Sequence, residues 1–313
     1  MSNLRLRTVT RAQGNNQAVI DGSVRVPGVE LELVDVPVLV DGFRRMVRGL
    51  EFDVCEMALT TYLVAREFGV PFTALPVFLV RGFHHGAIVH DVTRQVGPKD
   101  LAGGRVGVNR GYTVTTGVWA RAILADEFGL DLDQVTWVLS GDEHVREYRP
   151  PTNVVRAPQG TRLVDLLLAG ELDAVIGAEV DHPYVAPLIP HPRAAALDAL
   201  RDRGHYPINH LIVVRDDVLL ANPGLAAALF GAFAESKRRY VERLRRAEGV
   251  TTATDRAYAE VLAVTGHDPL PYGLAANRVV LEDLVRHATA QHIVQEPPQL
   301  ESLFAAETLD LTA

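Results

Sequence analysis

Pro98-Lys-Asp-Leu-Ala-Gly-Gly-Arg-Val-Gly-Val-Asn109 decides the fold. It reads as a helical turn, a glycine break and a short apolar strand, and with it an alternation of strand and helix that fills the preceding sequence starts again. Upstream, Leu4 to Thr10 and Val29 to Val36 alternate as strands, and Asp41 to Gly49 has helical spacing, with Phe43, Met46, Val47 and Leu50 on one side. Asp53 to Leu59 is a short apolar strand, Thr60 to Phe68 a helix stopped at Gly69, and Pro71 to Val80 another strand. Downstream come helix Thr113 to Phe128, strands Val135 to Leu139 and Asn153 to Ala157, helix Thr161 to Ala169 and strand Asp173 to Gly177. Leu163, Leu166 and Leu167 give the second of these helices its apolar stripe, and Gly170 is its natural stop. From Tyr206, strand Asn209 to Val214 leads into helices at Pro223 to Leu244, Thr252 to Thr265 and Leu281 to His292.

Such alternation predicts an α/β protein with two mainly parallel sheets flanked by helices. At 313 residues the chain exceeds what one core serves efficiently, so two lobes are expected. If the C-terminal helices return to the first lobe, the chain crosses between lobes twice, near His84 to Asp91 and near Gly204 to Leu211. This predicts residues 1–88 and 207–313 in one lobe and 89–206 in the other. The absence of a Ser/Gly-rich linker fits short interlobe crossings.

The bulk properties exclude several classes. With 48% hydrophobic and 22% charged residues the chain is expected to fold throughout. The net charge of −8 argues against nucleic acid, and the one basic run, Lys237 to Arg246, alternates with Glu and apolar residues as a solvated helix face does. The single cysteine, Cys55, excludes an internal disulfide framework and a multi-cysteine metal cluster, and its apolar neighbours predict core packing. The N-terminus carries no secretory signal pattern and no run of about eighteen apolar residues occurs, so no membrane association and a cytoplasmic location are expected.

Six segments carry a family resemblance. They are Phe52-Asp-Val-Cys-Glu-Met-Ala58, Pro76-Val-Phe-Leu-Val-Arg-Gly-Phe-His-His85, Asp100-Leu-Ala-Gly-Gly-Arg-Val-Gly-Val108, Gly117-Val-Trp-Ala-Arg121, Leu168-Ala-Gly-Glu-Leu-Asp-Ala174 and Tyr206-Pro-Ile-Asn-His210. In this order they resemble the 4,5-dihydroxyphthalate decarboxylase family, which is related to the type 2 periplasmic binding proteins. The resemblance implies a two-lobed type 2 periplasmic-binding-protein-like fold and a cofactor-independent aromatic decarboxylation. The third and fifth segments recur across that superfamily and speak to fold alone. His84 stands where the family usually has arginine, and Asn209 where it usually has methionine, departures that bear on the substrate more than on the fold.

The candidate catalytic residues are His210 and His85. His210 lies at the second crossing, where it would line an interlobe cleft, and imidazole suits proton delivery near neutrality; the plainer reading is a hydrogen-bonded core histidine. His84 and His85 fall at the first crossing. Adjacent strand residues point to opposite faces, so one of the two, His85 by preference, would face the cleft, with Arg81 on the same strand face able to hold a carboxylate or simply to pair at the surface. Three histidines without H-x-x-x-H spacing or cysteines predict no metal site.

The loop Asn109-Arg-Gly-Tyr-Thr-Val-Thr115 follows a buried strand and opens a helix, the place where α/β sheets bind anions. Asn109, Arg110, Tyr112, Thr113 and Thr115 are therefore candidate carboxylate contacts, as are Thr60 and Thr61 at the equivalent place in the first lobe and Asn209 beside His210; an ordinary threonine N-cap is the plainer reading. Asn15 and Asn16 could reach the same cleft but also read as a turn, and Glu179, Asp181 and His182 would repel an anion. The expected partner is a small-molecule carboxylate substrate, with self-association left open. The alternatives to a decarboxylase are a solute-binding protein that closes on a carboxylated ligand without reaction and another cytoplasmic biosynthetic enzyme on the same fold.

Overall fold

The computed structural model describes residues 4–313, which divide into two compact units. The first comprises residues 4–82, Ile208–Glu282 and Pro298–Ala313; the second comprises Phe83–Pro207 and Asp283–Pro297.

In the first unit the chain runs β1 (Leu4–Val9), α1 (Gln17–Ile20), β2 (Val29–Leu33), α2 (Leu39–Gly49), β3 (Val54–Ala58), α3 (Leu59–Glu67) and β4 (Phe72–Arg81). In the second it runs β5 (Ile88–Asp91), β6 (Arg105–Val108), α4 (Thr115–Phe128), β7 (Thr136–Leu139), β8 (Val154–Arg156), α5 (Leu163–Leu168), β9 (Ala174–Ile176), β10 (Val185–Pro187) and α6 (Pro192–Arg203). It then returns as β11 (Ile208–Arg215), α7 (Asp216–Ala221), α8 (Leu225–Arg245), α9 (Ala253–Thr265) and α10 (Leu274–Ala290).

The first sheet has the order β2-β1-β3-β11-β4 and the second β10-β5-β9-β6-β7-β8. β1, β2 and β3 are parallel, whereas β11 is antiparallel to both its neighbours, β3 and β4. In the second sheet β5 is likewise antiparallel to both its neighbours, β10 and β9. Each odd strand is the first one laid down after the chain enters its unit, so the topology itself records where the chain passes from one unit to the other.

Two expected boundaries move. β4 ends at Arg81 and a 3-10 turn at His85–Ala87 follows, so His84 and His85 are not strand residues and share no strand face with Arg81. Residues 283–297, expected with the first lobe, belong to the second unit. The reason is polar: Arg286 and His287 bond Asp126, Gln291 accepts from Arg121, and the His292 carbonyl accepts from Tyr148.

Elements lacking a strong apolar period were not legible, namely α1, β5, β10, α6 and α7, and α10 starts before the expected Leu281. The basic run on α8 is mostly a solvated face, with Arg238 and Arg239 paired to Glu235, but Lys237 is buried and paired with Asp268. Cys55 is fully buried, and burial pushes its thiol well above the ordinary value, as core packing requires. Among the described residues no helix is long and apolar enough to cross a membrane.

Candidate functional site

All five residues of β3 are buried, and the middle one is Glu56. A carboxylate at 0% exposure in the centre of a sheet survives only if its oxygens are satisfied. Oε2 accepts from the Thr10 hydroxyl at 2.8 Å and the Arg11 backbone N–H at 3.0 Å, while Oε1 lies 2.7 Å from Nδ1 of His210. Asn16 locks the loop that supplies the first two donors, giving its amide to Thr10 Oγ1 and the Arg11 carbonyl and accepting from the Gln13 N–H.

The sheet register explains the pairing. His210 stands opposite Ala58, and Glu56 is two residues along the same strand, so both side chains project from one face as diagonal neighbours. On its other side β11 meets β4 with a register irregularity centred on His210 and Leu211, the kind of break that re-aims a side chain. Phe43 of α2 packs edge-on against the imidazole with ring centroids 5.2 Å apart.

Burial by itself would raise the Glu56 carboxyl. The hydrogen bond and charge of His210, with the Thr10 hydroxyl and Arg11 N–H, outweigh burial and hold it below the ordinary carboxylate value. An ionised Glu56 can only accept, so the proton of Nδ1 is fixed between the two groups. Nε2 is the ring nitrogen turned away from Glu56, on a side chain 19% exposed.

Arg81, at the end of β4, is buried, its guanidinium donating to the Asn277 side-chain oxygen and its backbone N–H to the Tyr258 hydroxyl. Thr60 and Thr61 are buried in the first turn of α3, which has no side-chain cap. Asn15 is buried and donates to the Leu79 carbonyl; Asn209 is half-buried in β11.

In the second unit His85 is fully buried, with Nε2 at 3.0 Å from Glu127 Oε1, a carboxylate that also receives Arg203. His84 is buried at the start of the same turn. Around the loop before α4, Asn109 donates to the Gly177 carbonyl and exposed Arg110, at φ 72°, gives its N–H to Ser140. The N–H of Tyr112 (2.5 Å) and the N–H and hydroxyl of Thr113 (3.2 and 2.6 Å) all converge on the carboxylate of Glu143. Thr115 is buried at the first position of α4. His182 accepts from the Tyr184 N–H.

Asp126, Asp283 and His287 bring ligand-type atoms within 4.8 Å of one another. The Arg286 guanidinium donates to both carboxylates there, at 2.7 and 2.5 Å, and offsets one of their two charges.

Sequence reading missed Glu56, Glu143 and Arg121. For Glu56 a signal was present: a lone acid inside Val54-Cys-Glu-Met-Ala58 demands a buried partner. Glu143 lies in an irregular segment without periodicity, and nothing local marks it.

No family model matches the chain. By sequence it is 29% identical over 335 aligned positions to 4,5-dihydroxyphthalate decarboxylase of Comamonas testosteroni, spanning 99% of each protein. It is 35% identical over 199 positions to 4,5-dihydroxyphthalate decarboxylase of Pseudomonas putida, covering 58% of this chain and 76% of that one. Among solved structures it is similar to the periplasmic aliphatic sulphonate binding protein SsuA of Escherichia coli, with TM-score 0.55, 11% identity and coverage of 97% and 92%. A Candida albicans protein with the generic periplasmic binding protein fold gives TM-score 0.52 at 13% identity, covering 99% and 98%. At such identities the likeness is one of fold, and it is the periplasmic-binding-protein-like arrangement expected from the sequence.

Proposed function

Because the chain belongs to the 4,5-dihydroxyphthalate decarboxylase family and is on that ground a carboxy-lyase, we propose that it removes CO2 from a hydroxylated, phthalate-like aromatic carboxylate, with His210 as proton donor and no cofactor. The observation that carries this reading is the Glu56–His210 pair, an imidazole oriented from behind by a buried carboxylate. Such an arrangement is how a histidine is set to deliver a proton in one direction.

A ring hydroxyl para or ortho to the departing group lets the ring carbon that bears the carboxylate accept a proton, the oxygen taking up the electron deficit. His210 Nε2 supplies that proton. The bond to the carboxylate then breaks, its electron pair restores the aromatic ring, and CO2 leaves. Solvent returns the proton to the imidazole, so one proton is consumed per turnover. Nothing in this sequence needs an electron sink beyond the substrate itself. His85 has no part in it, since its ring is enclosed and its Nε2 is held by Glu127.

The test is CO2 release from 4,5-dihydroxyphthalate by purified protein and by His210→Ala. Loss of the general acid is expected to cost about 10²- to 10⁴-fold in rate. Turnover that survives the substitution would reject His210 as donor, and binding without CO2 release would favour the solute-binding reading.

A further inference from the structure

We propose that Asn16, buried in the loop between β1 and α1, is a positioning residue for the decarboxylation, acting on His210 through Thr10 and Glu56. The inference rests on the reading of His210 as proton donor. An asparagine at 0% exposure is costly unless its amide is hydrogen-bonded. Asn16 directly precedes α1, yet its side chain does not cap that helix. Its bonds run the other way: Oδ1 accepts from the Gln13 N–H at 2.8 Å, and Nδ2 donates to Thr10 Oγ1 and to the Arg11 carbonyl, each at 3.0 Å.

The last two bonds decide where the Thr10 proton goes. A hydroxyl rotates, and two acceptors lie within reach of this one, Glu56 Oε2 at 2.8 Å and the Arg11 carbonyl at 3.4 Å. Asn16 Nδ2 fills a lone pair of Thr10 Oγ1 and takes up the Arg11 carbonyl, which leaves the carboxylate as acceptor for the hydroxyl proton. The same stitching turns the Arg11 N–H to Glu56 Oε2 at 3.0 Å, and Gln13 Nε2 stands 3.5 Å from both oxygens. Donors on Oε2 fix the rotation of the carboxylate, and with it the aim of Oε1 at His210 Nδ1, 2.7 Å away.

The loop is anchored beyond the residues it orients. Asn15, 1% exposed, donates to the Leu79 carbonyl at 2.8 Å. Leu79 is the residue of β4 that the register passes over where His210 pairs with Val80 and Leu211 with Phe78. One asparagine therefore sets the carboxylate on β3, on one side of β11, while its neighbour holds the irregular strand β4 on the other. Gly14 lets the chain come this close, since a Cβ there would run into the Tyr240 ring of α8. Past the pair, the Ala18 N–H donates to Ser236 of the same helix.

Two readouts on the intact chain test this. The first is kcat and KM for CO2 release from 4,5-dihydroxyphthalate. Asn16→Ala and Thr10→Val are each expected to lower kcat about threefold to tenfold with KM little changed. Thr10→Ser, which keeps the hydroxyl, should retain the wild-type rate. Combined with Glu56→Gln, neither Asn16→Ala nor Thr10→Val should cost anything further, because their effect runs through the carboxylate. If Asn16→Ala does not fold, Thr10→Val, which keeps the shape of the side chain, is read in its place. The second readout is the low-field proton resonance of the His210 Nδ1–H, assigned by its loss in His210→Ala, and it requires no turnover. Asn16→Ala and Thr10→Val should shift or broaden it. An unchanged kcat, a loss carried by KM alone, the same fold loss repeated on top of Glu56→Gln, or an unmoved resonance would overturn the proposal. Absence of CO2 release by the wild-type chain would count against the decarboxylase reading alone, with the resonance still deciding the role of Asn16.

Discussion

Replacing Glu56 by glutamine keeps the shape of the side chain and removes its charge. The carboxylate has two accepting oxygens, one for Thr10 and Arg11 and one for His210, whereas an amide has one. The Arg11 N–H can only donate, so the amide oxygen must face it. The amide NH2 then faces His210, whose Nδ1 can no longer carry a proton there without opposing two donors. A hydrogen bond to a charged group is worth about 1.5–3 kcal/mol, which corresponds to roughly tenfold to hundredfold in rate.

The charge of Glu56 holds the imidazole through Nδ1, so its loss should act on the chemical step more than on substrate binding. For CO2 release by Glu56→Gln, kcat is expected to fall about tenfold to hundredfold with KM little changed. Glu56→Asp retains the charge and should restore part of the rate. A kcat equal to wild type, or a loss carried by KM alone, would refute the role of Glu56 in positioning the imidazole.

Other consequences of the structure are open to measurement. Asp255 caps α9 with Thr252 and accepts from the Tyr240 hydroxyl at 2.6 Å, so Asp255→Ala should lower unfolding free energy by about 2–3 kcal/mol in urea titration. Burial alone would raise the Asp283 carboxyl, but His205 and Arg286 outweigh it and hold it at about 2, so its contribution is complete above the ordinary carboxylate range and lost as pH falls toward 2. Asp283→Asn should accordingly flatten the fall of the urea midpoint below about pH 4; an unchanged slope would exclude this group. Gly273 has φ 101° and a Cβ there would lie 2.3 Å from the Leu311 carbonyl, so Gly273→Ala should cost about 3 kcal/mol, read as a lowered Tm. Cys55, enclosed and with its thiol raised by burial, should resist iodoacetamide in the native protein and react only after unfolding, as mass spectrometry would show.

The strongly periodic part of the strand-helix order was determined by sequence alone because apolar periodicity is a local property. Asp53 to Leu59 reads as a buried strand and Thr113 to Phe128 as a helix whatever the rest of the chain does, and the restart at Pro98 announces a second sheet. His210 was legible as a candidate through its motif. Its partner was not, because 154 residues separate it from Glu56 and only the antiparallel insertion of β11 beside β3 makes them neighbours. The same holds for the turn at Tyr112 and Thr113: local sequence showed that donors would be free before a helix, and tertiary structure supplied Glu143 to meet them. It also enclosed His85 against Glu127 and turned Arg81 onto Asn277, because a buried polar group takes whichever partner the fold brings within reach.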